Sequence, residues 1–453
     1  MGNIYNSLKT VWQNLKKENQ NNSSFFPTLL LLVTIPLLYA VNNVAMGVFL
    51  IFTFIGFNKS HLKLQFSILL PILLFVLMAL SCIWSIDKDS SLKALPKEIS
   101  LLIIPLGFLL MKNFTVDQKN KIISTYSYSI LLLAFVFLCR AAKRYFLTQD
   151  TRAFFYHGTN QDDYGLVPKL LNAIHVSVFV AVAFFYFFTK TSKTKWDSFF
   201  AAFLFGFILL LSSKNIVLVV VALSAIYLLF FSKSAHQLRL RNLFVFGLLV
   251  GLIFSMGRIK HRFQVEFQTN TNKSLSANVI EGVPQGVHYV SIKEAWTNPT
   301  FTPNDYFPGT AFRVYQFRIF TELIREEAVF LTGFGLNASY PKIQEKAQRY
   351  NLFMGNDSTE GYQSKNFHNQ YVQNFAELGF IGFILLLLML VINVKNAYNS
   401  KDFVHFVFAI LMISLFLTES FLWRQRGVVF FTLFYCLFNS GVSLKKPKPD
   451  QLI

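Results

Sequence analysis

The sequence predicts an all-α, polytopic integral membrane protein with about 12 transmembrane helices and one large, partly helical external loop. Of its 453 residues, 53% are hydrophobic and only 14% are charged. The apolar residues form separate blocks that are long enough to cross the roughly 30 Å of hydrocarbon in a bilayer. The polar stretch from 258 to 375 interrupts these blocks. It is too long to be a simple connector, so we expect it to carry function.

The net charge of +19 raises the question of nucleic-acid binding. The lysines and arginines lie mostly in short connectors between apolar blocks, and they do not form a single patch. This distribution favours membrane topology and anionic lipid as its cause, and not nucleic acid. Cys82, Cys139 and Cys436 have neither CxxC nor Cys/His spacing, which indicates neither a disulfide framework nor a zinc site.

The apolar blocks predict twelve spans. They are, in chain order, 26–42, 43–57, 64–84, 98–111, 122–139, 170–189, 197–213, 215–232, 242–257, 376–395, 402–420 and 427–442. A single long tilted helix is the alternative for the first two. The apolar run after the N-terminal lysines has no small-residue cleavage site, so we expect it to be retained as a span.

The basic connectors give the orientation. With the N-terminus inside, each cytoplasmic connector carries lysine or arginine, as the positive-inside rule requires, although the basic loop at 140–152 violates it locally. Three regions follow: an N-terminal bundle of about nine spans (1–257), the external loop (258–375), and a C-terminal region of about three spans with a basic cytoplasmic tail (376–453). One span fewer near 26–57 would invert this arrangement.

The external loop changes character along its length. Its first part, up to Pro308, is rich in asparagine and proline and predicts irregular structure. From Arg313 onward apolar residues recur at helical spacing, which predicts an amphipathic helix that ends before Gly333-Phe334-Gly335. The apolar positions of this predicted helix are Val314, Phe317, Phe320, Leu323 and Ile324. A second, more polar helix is predicted from Pro341 to Arg349.

Four residues on the predicted outer side carry charge or titrate: Lys214, Arg313, Arg318 and His368. An enzyme that acts on a diphosphate-linked substrate needs cations near the phosphates and a base near the acceptor hydroxyl. Each residue also has a simpler interpretation. Lys214 fits a hairpin lysine that reaches the interface, the arginines fit solvated side chains, and His368 fits an interfacial polar residue.

Further candidates have supporting roles. His175 is placed to face a donor lipid or to be a hydrogen-bonded helix-end histidine, and Arg426 to contact phosphate or to belong to an ion-paired turn with Glu419. Asn369 and Glu377 are candidates for orienting His368. Gly379 and Gly382 predict close approach between helices. The outer loop shows no carboxylate pair with metal-like spacing, so we expect metal-independent chemistry and no cofactor.

Taken together, these motifs resemble the O-antigen ligase and polymerase superfamily of bacterial envelope glycan enzymes. The most specific segments are 313–317 (Arg-Val-Tyr-Gln-Phe), 333–335 (Gly-Phe-Gly), and 368–382, which runs from His-Asn-Gln-Tyr-Val to Glu-Leu-Gly-Phe-Ile-Gly. The resemblance covers most of the chain in the order of its spans and is sharpest from about 311 to 385.

The resemblance implies a role for each matching residue. His368 is similar to the histidine proposed to activate the acceptor hydroxyl, and Arg313 to the arginine thought to hold the donor diphosphate. Lys214 stands where the family usually has arginine, which keeps the charge but loses two-pronged phosphate binding. The spacing from arginine to glycine is about two residues longer than usual, so Arg318 is the alternative to Arg313.

The resemblance also implies a multi-pass protein of the bacterial inner membrane whose active site faces the periplasm. Such an enzyme transfers a glycan from undecaprenyl diphosphate to an acceptor. The acceptor is lipid A-core for a ligase and another carrier-linked glycan for a polymerase, and we favour the ligase slightly. A polysaccharide transporter or flippase is the alternative of another class. Such proteins usually show repeated halves and charges at the midplane, which this sequence lacks.

Overall fold

A computed structural model describes residues 2–62, 64–155, 165–168, 170–232, 288–356 and 360–441, together with the isolated positions 247 and 251. Apart from positions 247 and 251, the predicted span 242–257 therefore lies outside the described residues, as do the first part of the predicted external loop and most of the basic C-terminal tail. The described chain is mostly helical, with one pair of two-residue strands.

The helices run through the whole described chain. They are α1 (Gly2–Asn21), α2 (Phe25–Thr34), α3 (Tyr39–Ile55), α4 (Phe66–Trp84), α5 (Lys88–Glu98), α6 (Ser100–Leu110), α7 (Val116–Thr148), α8 (Ala173–Thr189), α9 (Lys195–Leu211), α10 (Lys214–Ile226), α11 (Ile292–Thr297), α12 (Gly309–Glu326), α13 (Tyr340–Arg349), α14 (Gln370–Ser400), α15 (Phe403–Phe416) and α16 (Gln425–Asn439). The strands are β1 (His288–Tyr289) and β2 (Asp305–Tyr306), which pair in parallel.

Several of these helices are apolar enough for a membrane. Within the described residues, α4, α7, α14 and α10 with its π-helical extension to Phe231 have the length and hydropathy to cross a bilayer, and α2, α3, α8 and α15 are shorter apolar helices. Helices lie at eleven of the predicted spans, and α2 and α3 are separate rather than one long helix. The total of twelve spans stays a prediction.

Two helices form the interior of the bundle. Every residue from Arg426 to Asn439 in α16 is buried, and α8 is buried at most positions. A helix that is apolar all round must be surrounded by other helices. Accordingly α8 packs against α7, α9 and α15, while α16 packs against α6.

The described part of the predicted external loop has its own apolar core, called the external core below. The predicted amphipathic helix is present as α12, but it begins at Gly309. Tyr315, Ile319 and Leu323 are buried in its core, together with Ile343 of α13. The predicted apolar face was partly wrong, because Phe317 is 47% exposed. Burial follows a spacing of four residues, and Phe317 instead stacks on Trp296 outside this core.

A sharp kink in α14 joins this external core to the membrane bundle. Gly379 has φ +66° and ψ −167°, which interrupts the helix. The freed carbonyl of Glu377 accepts a hydrogen bond from the Gly335 N–H at 2.9 Å, and the Phe380 N–H donates to the Phe330 carbonyl at 2.8 Å. Gly379 therefore serves a loop–helix contact, and the prediction of helix–helix packing at this position was wrong.

Candidate functional site

His368 lies immediately before α14, where the chain turns into the helix. The Asn369 side chain accepts hydrogen bonds from the N–H groups of Tyr371 and Val372, at 3.0 and 3.1 Å, and so caps the helix. His368 itself has φ +48°, in the left-handed region that a non-glycine residue rarely adopts. Strained backbone of this kind is concentrated at functional sites.

Two side chains from distant parts of the chain contact the His368 ring. The Nδ1 atom lies 3.5 Å from Oε2 of Glu419, in the connection between α15 and α16. The Phe312 ring of α12 meets the imidazole edge-on, with 5.8 Å between centroids. The His368 side chain is 30% exposed and Glu419 is 14% exposed. The ring is therefore held on one side and accessible on another.

Arg313 contacts the same connection from α12. Its Nε and Nη2 atoms donate to the Thr418 carbonyl at 2.9 and 2.7 Å, and Nη2 also donates to Oε1 of Glu419 at 3.1 Å. Nη1 donates to the Gly309 carbonyl at 2.9 Å. The two oxygens of Glu419 thus join Arg313 to His368.

The start of α10 reaches this connection as well. The Asn215 side-chain amide donates to the Ser414 carbonyl and to Oγ1 of Thr418, both at 2.8 Å. Lys214, the first residue of α10, precedes Asn215 in the chain. The Asn369 amide donates to the Leu417 carbonyl at 3.3 Å. Residues 417–419 are therefore contacted from near the N-terminal ends of α10, α12 and α14.

This convergence has an electrostatic consequence. The N-terminal end of a helix carries a partial positive charge and unpaired backbone N–H groups, which together attract anions. Side chains from near three such ends contact one short connection, and the cation Arg313 is among them. The arrangement suits an anionic group beside a titratable imidazole.

Arg318, the alternative to Arg313, makes its contacts elsewhere. Its guanidinium donates to the Asn298 carbonyl at 2.7 Å, to the Tyr350 hydroxyl at 3.0 Å and to Glu322 at 3.0 Å. It also lies over the Tyr350 ring, 4.5 Å from the centroid. These contacts join α11, α12 and α13, so Arg318 stabilises the external core and is not brought to His368.

Glu322 belongs to this Arg318 network and is held in its charged form. Burial favours the neutral carboxyl group, but hydrogen bonds from Lys346, Tyr350 and Arg318 outweigh it. The pKa of Glu322 is consequently lower than its ordinary value.

His175 and Arg426 lie in the helical bundle. The His175 ring is 5% exposed and packs on Phe421, with 4.4 Å between centroids. Arg426 donates to the carbonyls of Leu170 and Leu37, each at 2.8 Å, and its guanidinium lies 4.0 Å from the centre of the Tyr39 ring. Arg426 therefore joins three segments of the bundle. The ion pair with Glu419 that the sequence suggested is not formed, because Glu419 contacts Arg313 instead.

Glu377 also makes its contacts elsewhere and is not brought to His368. Its carboxylate accepts a hydrogen bond from the Gln373 side chain, and it lines a cavity of about 20 Å³ together with Glu98. Of the two candidates for orienting the histidine, only Asn369 contacts the 417–419 connection, and its helix cap fixes the backbone next to His368. Among the described residues, no group of three or more His, Cys, Asp or Glu side chains is arranged to hold a metal ion.

Glu419 is the site residue that the sequence did not single out. The sequence indicated it only as part of a charged cluster between two spans, either an ion-paired turn or a wall of the site cavity. One signal was available, because Glu419 is the sole acidic residue between Asp402 and the end of α16. A carboxylate between two apolar helices needs a charged or hydrogen-bonding partner.

Comparison with known proteins gives one family match. A family model described as O-antigen ligase matches residues 198–387. The matched segment includes Lys214, Arg313 and His368, while Glu419 follows it in the chain. No curated protein matches the chain.

Proposed function

We propose that this chain, whose residues 198–387 match a family model described as O-antigen ligase, is a membrane glycosyltransferase. The proposed donor is a glycan on undecaprenyl diphosphate, and the proposed acceptor is lipid A-core. Transfer takes place at the periplasmic face of the bacterial inner membrane, where the external loop meets α14.

The observation that carries the proposal is the convergence at residues 417–419. A diphosphate needs positive charge, and Arg313 contacts this connection, as do Asn215 and Asn369 near the N-terminal ends of α10 and α14. Lys214, the first residue of α10, is the proposed second cation. An acceptor hydroxyl needs a base, and His368 adjoins this positive region through Glu419. Because the positive charge comes from the protein itself, the reaction as proposed requires no metal cation.

The chemical step is a direct displacement. His368 takes the proton of the acceptor hydroxyl as that oxygen forms a bond to the anomeric carbon of the donor sugar. The bond from the anomeric carbon to the phosphate oxygen breaks, and the diphosphate leaves with the electron pair. Arg313 and Lys214 stabilise the negative charge that develops on the leaving group. Attack from the face opposite the leaving group inverts the anomeric centre.

The proposal is tested by His368→Ala in purified enzyme with a lipid-linked donor and an acceptor. General-base catalysis contributes about 10²- to 10⁴-fold, so the transfer rate should fall by at least the lower figure. His61→Ala, which removes a histidine from the loop between α3 and α4, is the matched control and should retain activity. The assays use equal amounts of each purified variant, and each variant should reach the wild-type level in the membrane before purification. Wild-type transfer by His368→Ala would refute the role of His368 as the base.

The acceptor is tested in a deletion strain. Loss of a ligase should leave long glycan chains that are unattached to lipid A-core. A strain with single repeat units on its lipid core would instead identify the protein as a polymerase, with carrier-linked glycan as the acceptor.

A further inference from the structure

The Glu419 carboxylate occupies the centre of the site and uses its two oxygens differently. Oε1 accepts a hydrogen bond from Arg313 Nη2 at 3.1 Å, and Oε2 lies 3.5 Å from His368 Nδ1. The three side chains come from the α15–α16 connection, α12 and the start of α14. No local sequence element brings them together, so tertiary structure alone makes this arrangement.

We propose that Glu419 is the positioning residue of the transfer site, holding His368 through Nδ1 so that Nε2 is the atom that accepts the proton. The inference rests on the proposed function, because it assumes that His368 is the base. Neutral imidazole carries one proton, and a carboxylate at Nδ1 selects the tautomer with that proton on Nδ1. Nε2 then has a free lone pair for the acceptor hydroxyl.

The carboxylate also acts after the proton has moved. Proton transfer from the acceptor turns His368 into an imidazolium cation, and the adjacent negative charge of Glu419 stabilises it. Glu419 neither gains nor loses a proton in this step. The proton stays on His368 until it passes to solvent or to the released diphosphate.

Glu419 is itself held by its surroundings. Its backbone N–H donates to the Leu415 carbonyl at 2.9 Å, which continues the end of α15. The two preceding residues, Leu417 and Thr418, accept hydrogen bonds from Asn369 and Asn215. With its side chain 14% exposed, the carboxylate has little freedom to leave His368.

Arg313 completes the arrangement by linking donor binding to the base. A guanidinium has five N–H groups, and four hydrogen bonds to protein oxygens are formed by Nε, Nη1 and Nη2. Within the part of the chain that the structure describes, one N–H of Nη1 has no acceptor, and we assign it to a phosphate oxygen of the donor. When this N–H binds the donor diphosphate, Arg313 moves toward the phosphate and its contact with Glu419 weakens. Glu419 then interacts mainly with His368.

The distance between Glu419 Oε2 and His368 Nδ1 is consistent with a contact that tightens when the donor binds. The value of 3.5 Å is longer than the 2.7–3.2 Å typical of an N–H···O hydrogen bond. Catalytic hydrogen bonds are often long in the free enzyme and shorten when substrate binds. We therefore expect the Nδ1–Oε2 contact to tighten in the donor complex.

The test compares Glu419→Gln and Glu419→Asp with wild type in the purified full-length protein, using lipid-linked glycan as donor. Glu419→Gln keeps the shape and removes the charge, so kcat should fall on the order of 10- to 100-fold with a much smaller change in donor KM. Glu419→Asp retains the charge on a shorter side chain and should recover part of the lost kcat.

Glu294→Gln is the matched control. Glu294 forms a second Glu–His pair, with 3.4 Å to Nε2 of His288, and Gln at this position still accepts and donates in the helix cap of α11. Glu294 does not contact the 417–419 connection, His368 or Arg313, so the kcat of the Glu294→Gln variant should equal that of wild type. Thermal unfolding of all variants is measured in the same detergent.

Three results would overturn the inference. The first is a wild-type kcat for Glu419→Gln, and the second is a fall in donor affinity that accounts for the whole effect. The third is a loss of folded protein that matches the loss of activity, because it would make Glu419 purely structural. In each case glycan transfer by the wild type together with an inactive His368→Ala variant leaves the proposed function standing. An active His368→Ala variant refutes the role of His368 as the base, and no transfer by the wild type refutes the proposed function itself.

Discussion

The Gly379→Ala substitution tests whether the kink in α14 stabilises the fold and positions the candidate site. A φ of +66° with a ψ of −167° belongs to a backbone region that is used almost only by glycine. A Cβ atom at this position would lie 2.1 Å from the Leu331 carbonyl oxygen and 2.5 Å from the Thr332 nitrogen. Both contacts are with backbone, so no side chain can rotate away to relieve them.

The cost follows from these contacts. The unfavourable backbone conformation contributes roughly 1–3 kcal/mol, and overpacking against a fixed backbone contributes a similar amount. The hydrogen bond from the Phe380 N–H to the Phe330 carbonyl, now 2.8 Å long, would be weakened at a cost of about 1 kcal/mol. We expect a loss of about 4 kcal/mol in the free energy of unfolding. Activity should fall too, because His368 precedes the helical segment that the kink orients.

The assay is thermal unfolding in detergent, followed by measurement of glycan transfer. Gly206→Ala is the control, since Gly206 lies inside α9. Apart from its chain neighbours and its own helix backbone, no atom of the described residues lies within 4 Å of the added Cβ. Alanine favours a helix over glycine by about 1 kcal/mol, so this variant should be as stable as wild type or more so. Equal melting temperatures for Gly379→Ala and Gly206→Ala would refute the account of the kink.

Two further predictions concern the start of α14 and the external core. Asn369→Ala removes the cap of α14, so the free energy of unfolding should fall by about 1 kcal/mol and transfer activity should fall as well. Asn369→Ser can still cap the helix and should retain most of the stability in thermal unfolding. Equal melting temperatures for these two variants would contradict the capping role. Glu322 has a lowered pKa, so its contribution to stability is present above its ordinary value of 4.5 and is lost as the pH falls through the lower folded-state value. Glu322→Gln should therefore lower the melting temperature at neutral pH and reduce its further decrease in acid, whereas parallel curves for the variant and wild type would argue against this role.

Much of the fold could be predicted because a bilayer constrains sequence strongly. A segment inside hydrocarbon must be apolar and must satisfy its own backbone hydrogen bonds, which favours helices of recognisable length. Helices are therefore found at eleven of the predicted spans. The external helix α12 was less constrained, because its periodicity does not show which neighbour covers which face. Phe317 was accordingly assigned to the wrong side.

The candidate site was only partly accessible from sequence. The motif around His368 and the first arginine of α12 could be identified from their order in the chain. Spacing alone did not decide between Arg313 and Arg318, because both are arginines on one short helix. The structure places Arg313 on the 417–419 connection and Arg318 against Tyr350.

The sequence by itself determined the helical, membrane-like class, the position of the long polar region at 258–375 and the histidine and arginine that mark the candidate site. These features depend on local composition and on short motifs, which need no knowledge of distant contacts. Only the tertiary structure decided that Glu419 lies between Arg313 and His368, and that Gly379 bends α14 against the 331–335 loop. Both depend on residues far apart in the chain, whose meeting is set by how the helices pack.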